Sequence, residues 1–508
     1  MIASILLLFV LLMSGRAPAA PPATRPATRA TTQLLKPTSR PALTPEQQKR
    51  QKVQEFTRKS LDLLMHKKYA EAEVVLTEAL VLDPDHSTNV YNMACLKALT
   101  GRPDEAMAYL ERAASAGFTD FIHIEQDADL ASLRPLPRYK ALIASKDAYQ
   151  KKEADRAVAS LRKQLGDKYI FDLDAETKLI FAANTDAQTL ADVKKWLTMQ
   201  AKSEWAQLFE HKPDQYVAVV LPSLTDYVKM IKMPGVEGIY MHGARMLIAK
   251  RLGQVMTHEF THALHAGDLD PLGQEHPIWI VEGLASMFEA GQFEGEKLVP
   301  RDNYRLQYLQ IALRTKRLIP LEKLITWKQP QFVANANLGY GEASSVMLYL
   351  YDLNLLRRFY ETYKVNFDRD PSGKITIEQV VGKPFKDFER DWQVWMSKRT
   401  APSLNTGPEG AFIGVMFAQE NDGLKIEQVV SRGPADSAGI KAGDIIVGLN
   451  DLDVRDQRTL MPMLKEFKPG DGVVFKLRRR EEYLQLALTL GRRGGPIPAT
   501  KPVLAKPK

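Results

Sequence analysis

Cysteine is nearly absent from this chain of 508 residues, because Cys95 is its only one. A single cysteine excludes an intrachain disulfide and any metal cluster that is built from several cysteines. Cys95 lies in an apolar stretch with helical spacing, where a thiol most simply acts as a small core side chain. Stability must therefore come from packed cores, which a chain of this length can form.

Long apolar runs are also scarce, and the longest covers residues 2–13. These 12 positions are too few to span a bilayer, which requires about 20 apolar residues. Because Ala17-Pro18-Ala19 follows as a small-residue cleavage site, residues 1–20 predict a signal peptide. We expect an exported protein, periplasmic or secreted, without a stable membrane span; an uncleaved N-terminal anchor is the alternative.

Concentrated positive charge is missing from the body of the chain. The net charge is +8, but residues 1–50 contribute +6 and residues 491–508 contribute +5, which leaves −3 for the remainder. Both basic ends are rich in proline and small residues, which predicts a disordered linker at 21–45 and a disordered tail at 493–508. The charge therefore does not indicate a nucleic-acid partner.

The chain does contain His258-Glu259-Phe260-Thr261-His262. On a helix, positions i and i+4 share one face, so the two histidines can bind one metal ion. Glu282, 20 residues after His262, adds a carboxylate from a second predicted helix. Two histidines, one carboxylate and an open fourth position form a catalytic zinc set, and Glu259 is placed to take a proton from water. The alternative is an amphipathic helix with two solvated or capped histidines.

The flanks of the motif favour a helix on each side of a loop. An apolar stripe runs from Leu252 to Leu264, and Gly267-Asp268 predicts the end of the first helix. Pro277 opens the second predicted helix, which ends near Gly291. Glu282 is thus expected to fold back beside the two histidines.

These two motifs resemble the gluzincin branch of zinc metallopeptidases. The form Trp279-x-x-Glu282-Gly-x-Ala resembles the peptidase MA-like domains of many exported bacterial proteins. The resemblance implies a zinc cofactor, with His258, His262 and Glu282 as ligands and Glu259 as general base. It also implies an endopeptidase, because the Gly-x-Met-Glu-Asn stretch of aminopeptidase-type gluzincins has no counterpart here.

Ser286 departs from the gluzincin pattern. Related enzymes usually have an acidic residue four places after the third ligand, where it orients a ligand histidine. A serine hydroxyl orients a histidine less firmly, which puts catalytic efficiency in question more than metal binding. Glu289, one turn further along, is the substitute that the sequence offers.

An oxyanion intermediate requires a hydrogen-bond donor besides the metal. Tyr340 is the candidate, since glycines flank it just before a predicted helix at 343–355 and MA-like domains often carry a tyrosine there. The alternative is a tyrosine that only packs at a helix start. His265 falls on the ligand face as a neighbour of the site, whereas His242 and His276 are assigned to surface or loop positions.

Residues 46–146 contain a pattern that repeats after 34 residues. Three positions of the first unit recur in the second with the same residue type, and Ser60 corresponds to Ala94 as a small residue. The matched pairs are Ala72 and Ala106, Leu76 and Leu110, and Ala79 and Ala113. This pattern resembles the tetratricopeptide repeat, in which small residues let two helices of a hairpin approach closely. A degenerate third unit follows at 129–139, and a non-repeat helical bundle is the alternative.

Residues 150–400 are predicted to form the catalytic domain. Strands are expected at 169–173, 179–183 and 216–221, with a helix at 190–209. Residues 238–249 predict one edge strand just before the metal-binding helix. In gluzincins such an edge lies along the cleft, which implies an extended or unfolded polypeptide substrate that pairs as an added strand.

Residues 409–492 carry a second family pattern. Phe412-Ile413-Gly414-Val415 opens a strand, and the stretch at 433–446 is close to that of bacterial PDZ domains. The resemblance implies that backbone N–H groups around Ile413, Gly414 and Val415 bind the C-terminal carboxylate of a peptide. A PDZ-like fold that only packs against the catalytic domain is the alternative.

The sequence therefore predicts a multidomain protein with α-helical tetratricopeptide hairpins, an α+β zincin-like catalytic domain and a β-rich PDZ domain. The predicted function is an exported zinc endopeptidase whose helical-repeat and PDZ modules bind substrate or a protein partner. The alternative is a non-catalytic, chaperone-like scaffold that binds peptides and keeps a vestigial metal site.

Overall fold

The computed structural model describes residues 44–231, 236–303, 305–400, 411–420, 423–450, 452–454, 456–465, 467, 469–480 and 482–492. The predicted signal peptide, nearly all of the predicted linker and the basic tail lie outside the described residues. The described chain divides into two compact units. The first holds most of the chain up to residue 275, and the second holds most of the chain from residue 276 onward.

Helical hairpins begin the first unit. Helices α1 (Pro45–Met65) and α2 (Tyr69–Leu82) pair, as do α3 (Ser87–Leu99) and α4 (Pro103–Ser115). Thr44 starts α1 with a capping box, because its side chain accepts a hydrogen bond from the Gln47 N–H. The positions that repeat after 34 residues are fully buried in these hairpins, which agrees with the predicted repeat: Ser60, Ala72, Leu76, Ala79, Ala94, Ala106, Leu110 and Ala113.

Shorter helices follow, and the degenerate third unit predicted at 129–139 overlaps only the last two of them. These are α5 (Phe121–Gln126), a 3₁₀ turn at Ala128–Leu130, and α6 (Pro137–Ala144). A longer helix, α7 (Lys146–Leu165), leads to the sheet. Cys95 is buried in the core of this helical region, as predicted.

A five-stranded mixed sheet follows the helical region in the first unit. Its strands are β1 (Ile170–Asp174), β2 (Leu179–Ala183), β3 (Val217–Leu221), β4 (Gly238–Met241) and β5 (Met246–Ala249), in the order β1-β2-β3-β5-β4. Strands β1 and β2 are antiparallel, whereas β2, β3 and β5 run parallel. Helix α8 (Ala187–Gln207) connects β2 to β3, and α9 (Leu224–Met230) follows β3.

The single edge strand predicted at 238–249 is wrong in one respect. The segment forms two strands that are separated by a 3₁₀ turn at His242–Ala244, and Arg245 adopts a left-handed conformation with φ +45°. Only β4 lies at the edge, because β5 inserts between β3 and β4. All four residues of β5 are buried, as expected for an internal strand.

The helical region and the sheet contact each other within the first unit. The side-chain amide of Gln126 donates to the carbonyl of Pro271, 2.7 Å away, in the loop after the histidine-bearing helix. Arg245, between β4 and β5, lies 3.7 Å from the carboxylate of Asp120. Gln150 of α7 donates to Asp214 just before β3. The segment that follows the two repeat hairpins therefore contacts the sheet and the loops beside it.

Helix α10 (Gln254–Leu269) precedes the helical part of the second unit. That part begins with α11 (Ile278–Phe288) and a hairpin of β6 (Gln292–Glu294) and β7 (Lys297–Val299). The helices that follow are α12 (Arg305–Arg314), α13 (Leu321–Leu324), α14 (Gln329–Ala334), α15 (Ala336–Asp352), α16 (Leu356–Asn366), α17 (Lys374–Val381) and α18 (Phe385–Lys398). Trp392 of α18 is fully buried and donates to the hydroxyl of Ser345 of α15, so the last helix of this part packs against α15.

The C-terminal part is rich in β-structure. Strands β9 (Val415–Glu420), β10 (Gly423–Val429), β11 (Ile445–Leu449), β13 (Gly472–Arg479) and β14 (Glu482–Thr489) form an antiparallel sheet in which β9 is an edge. Strand β12 (Leu452–Asp453) pairs with β11, and β8 (Ala411–Phe412) pairs with β15 (Gly491–Arg492). Helices α19 (Pro434–Ser437) and α20 (Gln457–Lys465) complete this part.

Candidate functional site

Both motif histidines lie on helix α10. His258 and His262 are one turn apart on it, so their side chains leave the same face. Met256, Phe260 and Leu264 are buried and anchor the helix. The predicted helix and the predicted side-chain direction therefore agree with the structure.

The predicted end of this helix at Gly267 is wrong, because α10 continues to Leu269. A Cβ on Gly267 would lie 2.7 Å from the side chain of Pro213, so this glycine permits close packing. The buried carboxylate of Asp268 accepts hydrogen bonds of 2.7 Å from the backbone N–H groups of Glu210 and His211. A tertiary contact thus explains a residue pair that looked like a local stop signal.

His258, His262 and Glu282 come together as a group that could hold a metal ion. One ligand atom from each residue lies within 4.8 Å of the other two. His258 Nε2 and Glu282 Oε2 are 3.2 Å apart, and their side chains are only 12% and 16% exposed. Donors at about 2.0–2.1 Å around a tetrahedral ion lie about 3.3 Å from each other, so this spacing fits zinc.

Gly283 explains how helix α11 reaches its position. A Cβ on Gly283 would lie 2.9 Å from the backbone oxygen of Ala343 in α15, so only glycine permits this close approach. Trp279 of the same helix is buried and donates to the carbonyl of Ser372. The Glu-Gly pair of the motif therefore combines a candidate ligand with the contact that places its helix.

Glu289, rather than Ser286, orients the first histidine. Glu289 Oε2 lies 3.2 Å from His258 Nδ1, which leaves Nε2 of the ring directed to Glu282. The hydroxyl of Ser286 is buried and has no hydrogen-bond partner among the described residues. The substitute that the sequence offered is thus in contact with His258.

Arg305 and Asn303 complete the surroundings of Glu289. Arg305 forms a buried ion pair with Glu289 Oε1, and the side-chain amide of Asn303 donates to the same oxygen at 3.2 Å. Burial alone would raise the pKa of Glu289, but the charges of Arg305 and His258 and their hydrogen bonds hold this pKa at about 2. Glu289 is therefore a carboxylate at neutral pH and can accept the Nδ1 proton of His258.

The carboxylate of Glu259 contacts the edge strand. Glu259 Oε2 accepts a hydrogen bond of 2.7 Å from the backbone N–H of Tyr240 in β4. Glu259 is only partly buried, as a group that exchanges protons with solvent and substrate must be. The predicted general base thus lies beside the strand that was expected to pair with substrate.

Tyr340 lies on helix α15, and the predicted helix start at 343 is wrong because α15 begins at Ala336. The two flanking glycines belong to the helix, and Gly341 packs against Leu309. The ring of Tyr340 is half-buried, 6.3 Å from the ring of His258 and edge-on to Phe332 at 5.0 Å. Its place near His258 suits both the donor role and the packing role.

The other histidines that the sequence singled out are not members of this group. His265 is buried and stacks on Phe209 with ring centres 5.5 Å apart. His242 is exposed, as predicted, and lies 3.5 Å from Asp270. His276 is in a loop but is buried against Tyr360 and Tyr363, so only the loop part of its assignment was right.

Two functional contacts were missed by sequence reasoning. The Tyr240 N–H is a backbone group, so no residue type could have marked it. Arg305 lies 16 positions after its partner Glu289 with no periodic relation to it. The sequence carries no local signal for the arginine, because its need for an anionic partner follows from a burial that only the fold shows.

Ile413 and Gly414 lie between β8 and the edge strand β9, and Val415 is the first residue of β9. Gly414 adopts φ +79°, which favours glycine, and its carbonyl accepts from the Val430 N–H at 2.8 Å. The carbonyl of Ile413 accepts from the Ala435 N–H at 2.9 Å. The loop is thus fixed beside helix α19, while its binding of a peptide carboxylate stays a prediction.

Comparison with known proteins identifies both accessory modules. Residues 411–490 match the family model for the PDZ domain, and residues 63–124 match the model for the tetratricopeptide repeat. These matches confirm the predicted PDZ domain and the predicted tetratricopeptide repeats. Among the described residues, no helix has both the length and the apolar character that crossing a bilayer requires.

The chain is similar to two bacterial proteases over a short stretch. It is 34% identical over 82 residues to the serine protease Do-like HtrA of Bacillus subtilis, and 33% identical over 79 residues to HtrB of the same organism. These stretches cover 16% and 15% of this chain, and 18% and 17% of those proteins. The chain therefore spans less than a fifth of the length of the relatives that it matches.

Solved structures give partial matches. The HtrA-type protease AlgW with a decapeptide matches 22% of this chain and 37% of its own, with 20% identity and a TM-score of 0.17. An aminopeptidase N family protein from Idiomarina loihiensis matches 62% of this chain and 65% of its own, with 16% identity and a TM-score of 0.30.

Proposed function

We propose that this protein is a zinc-dependent endopeptidase that acts on extended polypeptides. The observation that carries the proposal is the convergence of His258, His262 and Glu282, whose ligand atoms lie within 4.8 Å of one another. Glu259 occupies the turn between the two histidines on the same helix. This combination suits hydrolysis, because a metal set and a proton acceptor are presented from one rigid element.

The donor set fits zinc better than calcium or magnesium. Two imidazole nitrogens and one carboxylate oxygen suit a borderline metal, whereas calcium and magnesium prefer oxygen ligands alone. Because Glu289 lies at Nδ1 of His258, the lone pair of Nε2 is directed to the side of Glu282. A histidine fixed in this way is ready to bind an ion without a change of tautomer.

Each residue then has a defined task. Zinc, when bound, supplies a Lewis acid that polarises a carbonyl group and lowers the pKa of a water molecule. Glu259 accepts the proton of the attacking water, while the Tyr240 N–H keeps its carboxylate beside strand β4. Tyr340 donates a hydrogen bond to the developing oxyanion. His258, His262 and Glu282 would hold the zinc ion.

The accessory modules support a polypeptide substrate. Strand β4 is an edge of its sheet, and an extended chain can pair with such an edge through its backbone. The PDZ and tetratricopeptide regions would bind substrate or a protein partner. The similarity to the HtrA relatives supports this peptide-binding role. It does not support their serine chemistry, since the shared stretch is under a fifth of their length.

Metal analysis and one substitution test the proposal. Purified protein should contain about one zinc per chain, and Glu259→Gln should keep the zinc while casein cleavage falls by about 10²–10⁴-fold. Glu296→Gln is the matched control, because Glu296 is exposed in the turn between β6 and β7. Unchanged cleavage in Glu259→Gln would remove this residue from the mechanism.

Inhibitors separate the proposal from serine chemistry. A zinc chelator should stop cleavage and added zinc should restore it, whereas a fluorophosphonate should leave the rate unchanged. The reverse pattern would contradict the proposal and would favour a serine nucleophile.

A non-catalytic scaffold is the second candidate. Two observations favour it: the two matched binding modules, and Ser286 at the place where gluzincins carry an acidic residue. If it is correct, zinc-saturated protein will bind peptides from a cell-envelope extract and leave them intact. New peptide termini that appear only with wild-type protein would exclude the scaffold reading.

The proposed location is outside the cytoplasm. It rests on the predicted signal peptide at 1–20, which lies outside the described residues. N-terminal sequencing of the protein recovered from its cells tests this, because removal of the first 20 or so residues is expected.

A further inference from the structure

We propose that Arg305 is a positioning residue of the candidate zinc site, where it holds Glu289 against the ligand His258. This inference rests on the proposed function, since it concerns how firmly the zinc ligands are placed. It assigns to Arg305 the support that an acidic residue at position 286 would give directly.

The contacts form a chain from helix α12 to the ligand. Arg305, the first residue of α12, is paired with Glu289 Oε1, and Glu289 Oε2 lies 3.2 Å from His258 Nδ1. One carboxylate therefore contacts the guanidinium with one oxygen and the imidazole with the other. A rotation of Glu289 that broke either contact would weaken the second as well.

Asn303 strengthens the same junction. Its side-chain oxygen accepts from the Arg305 backbone N–H at 2.9 Å, and its amide donates to Glu289 at 3.2 Å. The side chains of Asn303 and Arg305 thus both connect the start of helix α12 to Glu289. These contacts fix the position of the Glu289 carboxylate, and the ion pair with Arg305 also stabilises its negative charge.

Burial makes the arginine necessary. The side chains of Arg305 and Glu289 are only 9% and 8% exposed. A carboxylate this deeply buried is stable in its charged form only beside a cation with good hydrogen-bond geometry. Arginine suits this place better than lysine, because its planar guanidinium has several donors and stays charged when it is buried.

The formal charges balance only when the arginine is counted. Glu259, Glu282 and Glu289 contribute three negative charges, and Arg305 contributes one positive charge. A divalent ion brings this group of charges to zero. Without the arginine, the loaded site would keep one negative charge that is largely removed from solvent.

Arg305 also lies over Tyr340. The guanidinium carbon is 5.9 Å from the centre of the Tyr340 ring, within the range of a cation–π contact. The same side chain thus contacts the group that orients a ligand and the proposed oxyanion donor. Loss of Arg305 should therefore affect kcat as well as zinc affinity.

The test measures zinc affinity by competition with a chelator, using the full-length protein. Arg305→Met should weaken zinc binding by about 10- to 100-fold, the size that is typical when support of a metal ligand is lost. Arg314→Met is the matched control, because Arg314 lies at the other end of the same helix and is exposed. The control should bind zinc like the wild type.

A double substitution shows whether Arg305 acts through Glu289. Glu289→Gln keeps an oxygen acceptor for His258 and removes the charge that needs a cation. In that background Arg305→Met should change zinc affinity by less than about 3-fold, and the double variant should fold even if Arg305→Met alone does not. The visible spectrum of the cobalt-substituted protein should shift in Arg305→Met and stay unchanged in Arg314→Met.

The outcomes are distinct. If the wild type binds no zinc, both the proposed function and this inference fail. If the wild type binds zinc and Arg305→Met binds it equally well, only the inference fails. Equal losses from Arg305→Met in the wild-type and Glu289→Gln backgrounds would also overturn it, because the arginine would then act independently of Glu289.

Discussion

Two buried glutamates contact residues of helix α10, and their surroundings make one of them charged and the other neutral. Glu289 contacts His258, and the ion pair with Arg305 holds its pKa at about 2. Glu204 accepts from Thr261 at 2.9 Å and from Gln200 at 2.8 Å, and burial raises its pKa to about 8. At neutral pH the first is a carboxylate and the second is a neutral acid.

The difference follows from one neighbour. Both carboxyl groups are removed from water, and both accept hydrogen bonds from nearby side chains. Only Glu289 has a cation beside it, since Glu204 has two neutral donors and a second oxygen without a hydrogen-bond partner among the described residues. The histidine that is proposed to bind metal is therefore supported by an anion, while Thr261 on the same helix donates to a neutral acid.

The largest expected effect comes from removing the anion. Glu289→Leu removes the carboxylate that pairs with the buried guanidinium of Arg305 and should lower the free energy of unfolding by about 3–5 kcal/mol. Glu204→Leu removes a neutral acid and should cost about 1–3 kcal/mol. Urea titration followed by tryptophan fluorescence measures both, because all six tryptophans lie between residues 196 and 395 and report the proposed catalytic region alone. Equal losses would show that the two carboxyl groups share one charge state.

The pH dependence of stability sharpens the same comparison. The folded-state pKa of Glu204 lies above its ordinary value of 4.5, so the folded protein binds this proton more tightly than the unfolded chain. Its stabilising effect is complete below about pH 4.5 and is lost as the pH rises towards 8, by about 3–5 kcal/mol in all.

Glu204→Gln removes this titration while keeping a neutral side chain of the same shape. Relative to wild type, the variant should gain stability between pH 5 and pH 8 in metal-free protein, as measured by the same fluorescence titrations. Wild-type and variant curves that stay parallel over this range would contradict the raised pKa.

The sequence predicted much of this arrangement where local pattern decides structure. The shared face of His258 and His262 follows from helical periodicity, and Glu289 is one turn beyond Ser286. The repeat positions in the N-terminal helices and the glycines of the PDZ region are local signals as well. These parts of the fold could be predicted because neighbours in sequence are neighbours in space.

The other features depend on distant contacts. Gly267 looked like a helix end, but it packs against Pro213, and the helix continues. Tyr340 looked like a loop residue because glycines flank it, although those glycines lie within helix α15. Arg305 and the Tyr240 N–H have no local signal at all. Such partners are set by tertiary packing, which residue spacing does not encode.

A smaller loss of stability is expected from a substitution at Gly283, where helix α11 packs closely against α15. Gly283→Ala would bring a Cβ to 2.9 Å from the Ala343 oxygen, so helix α11 must shift away from α15. The free energy of unfolding should fall by about 1–3 kcal/mol, and zinc affinity should fall with it.

Gly339→Ala is the control, because its nearest new contacts are ordinary ones of 3.5 Å with Phe332. Alanine favours a helix interior over glycine, so this variant should be more stable by up to about 1 kcal/mol. The same sign of change in both variants would show that Gly283 is not placed for close approach.

The smallest expected loss of stability comes from removing the hydrogen bond between Thr261 and the neutral acid Glu204. Thr261→Val removes the hydroxyl that donates to Glu204 and should cost about 1 kcal/mol, whereas Thr315→Val, at an exposed helix end, should change stability by less than about 0.5 kcal/mol. Because the Thr261 hydroxyl lowers the pKa of Glu204, its loss should raise this pKa further and extend the loss of stability to higher pH. Fluorescence titrations at several pH values check both effects. An unchanged pH profile in Thr261→Val would mean that burial alone sets the charge state of Glu204, and that the helix gains only a hydrogen bond from this contact.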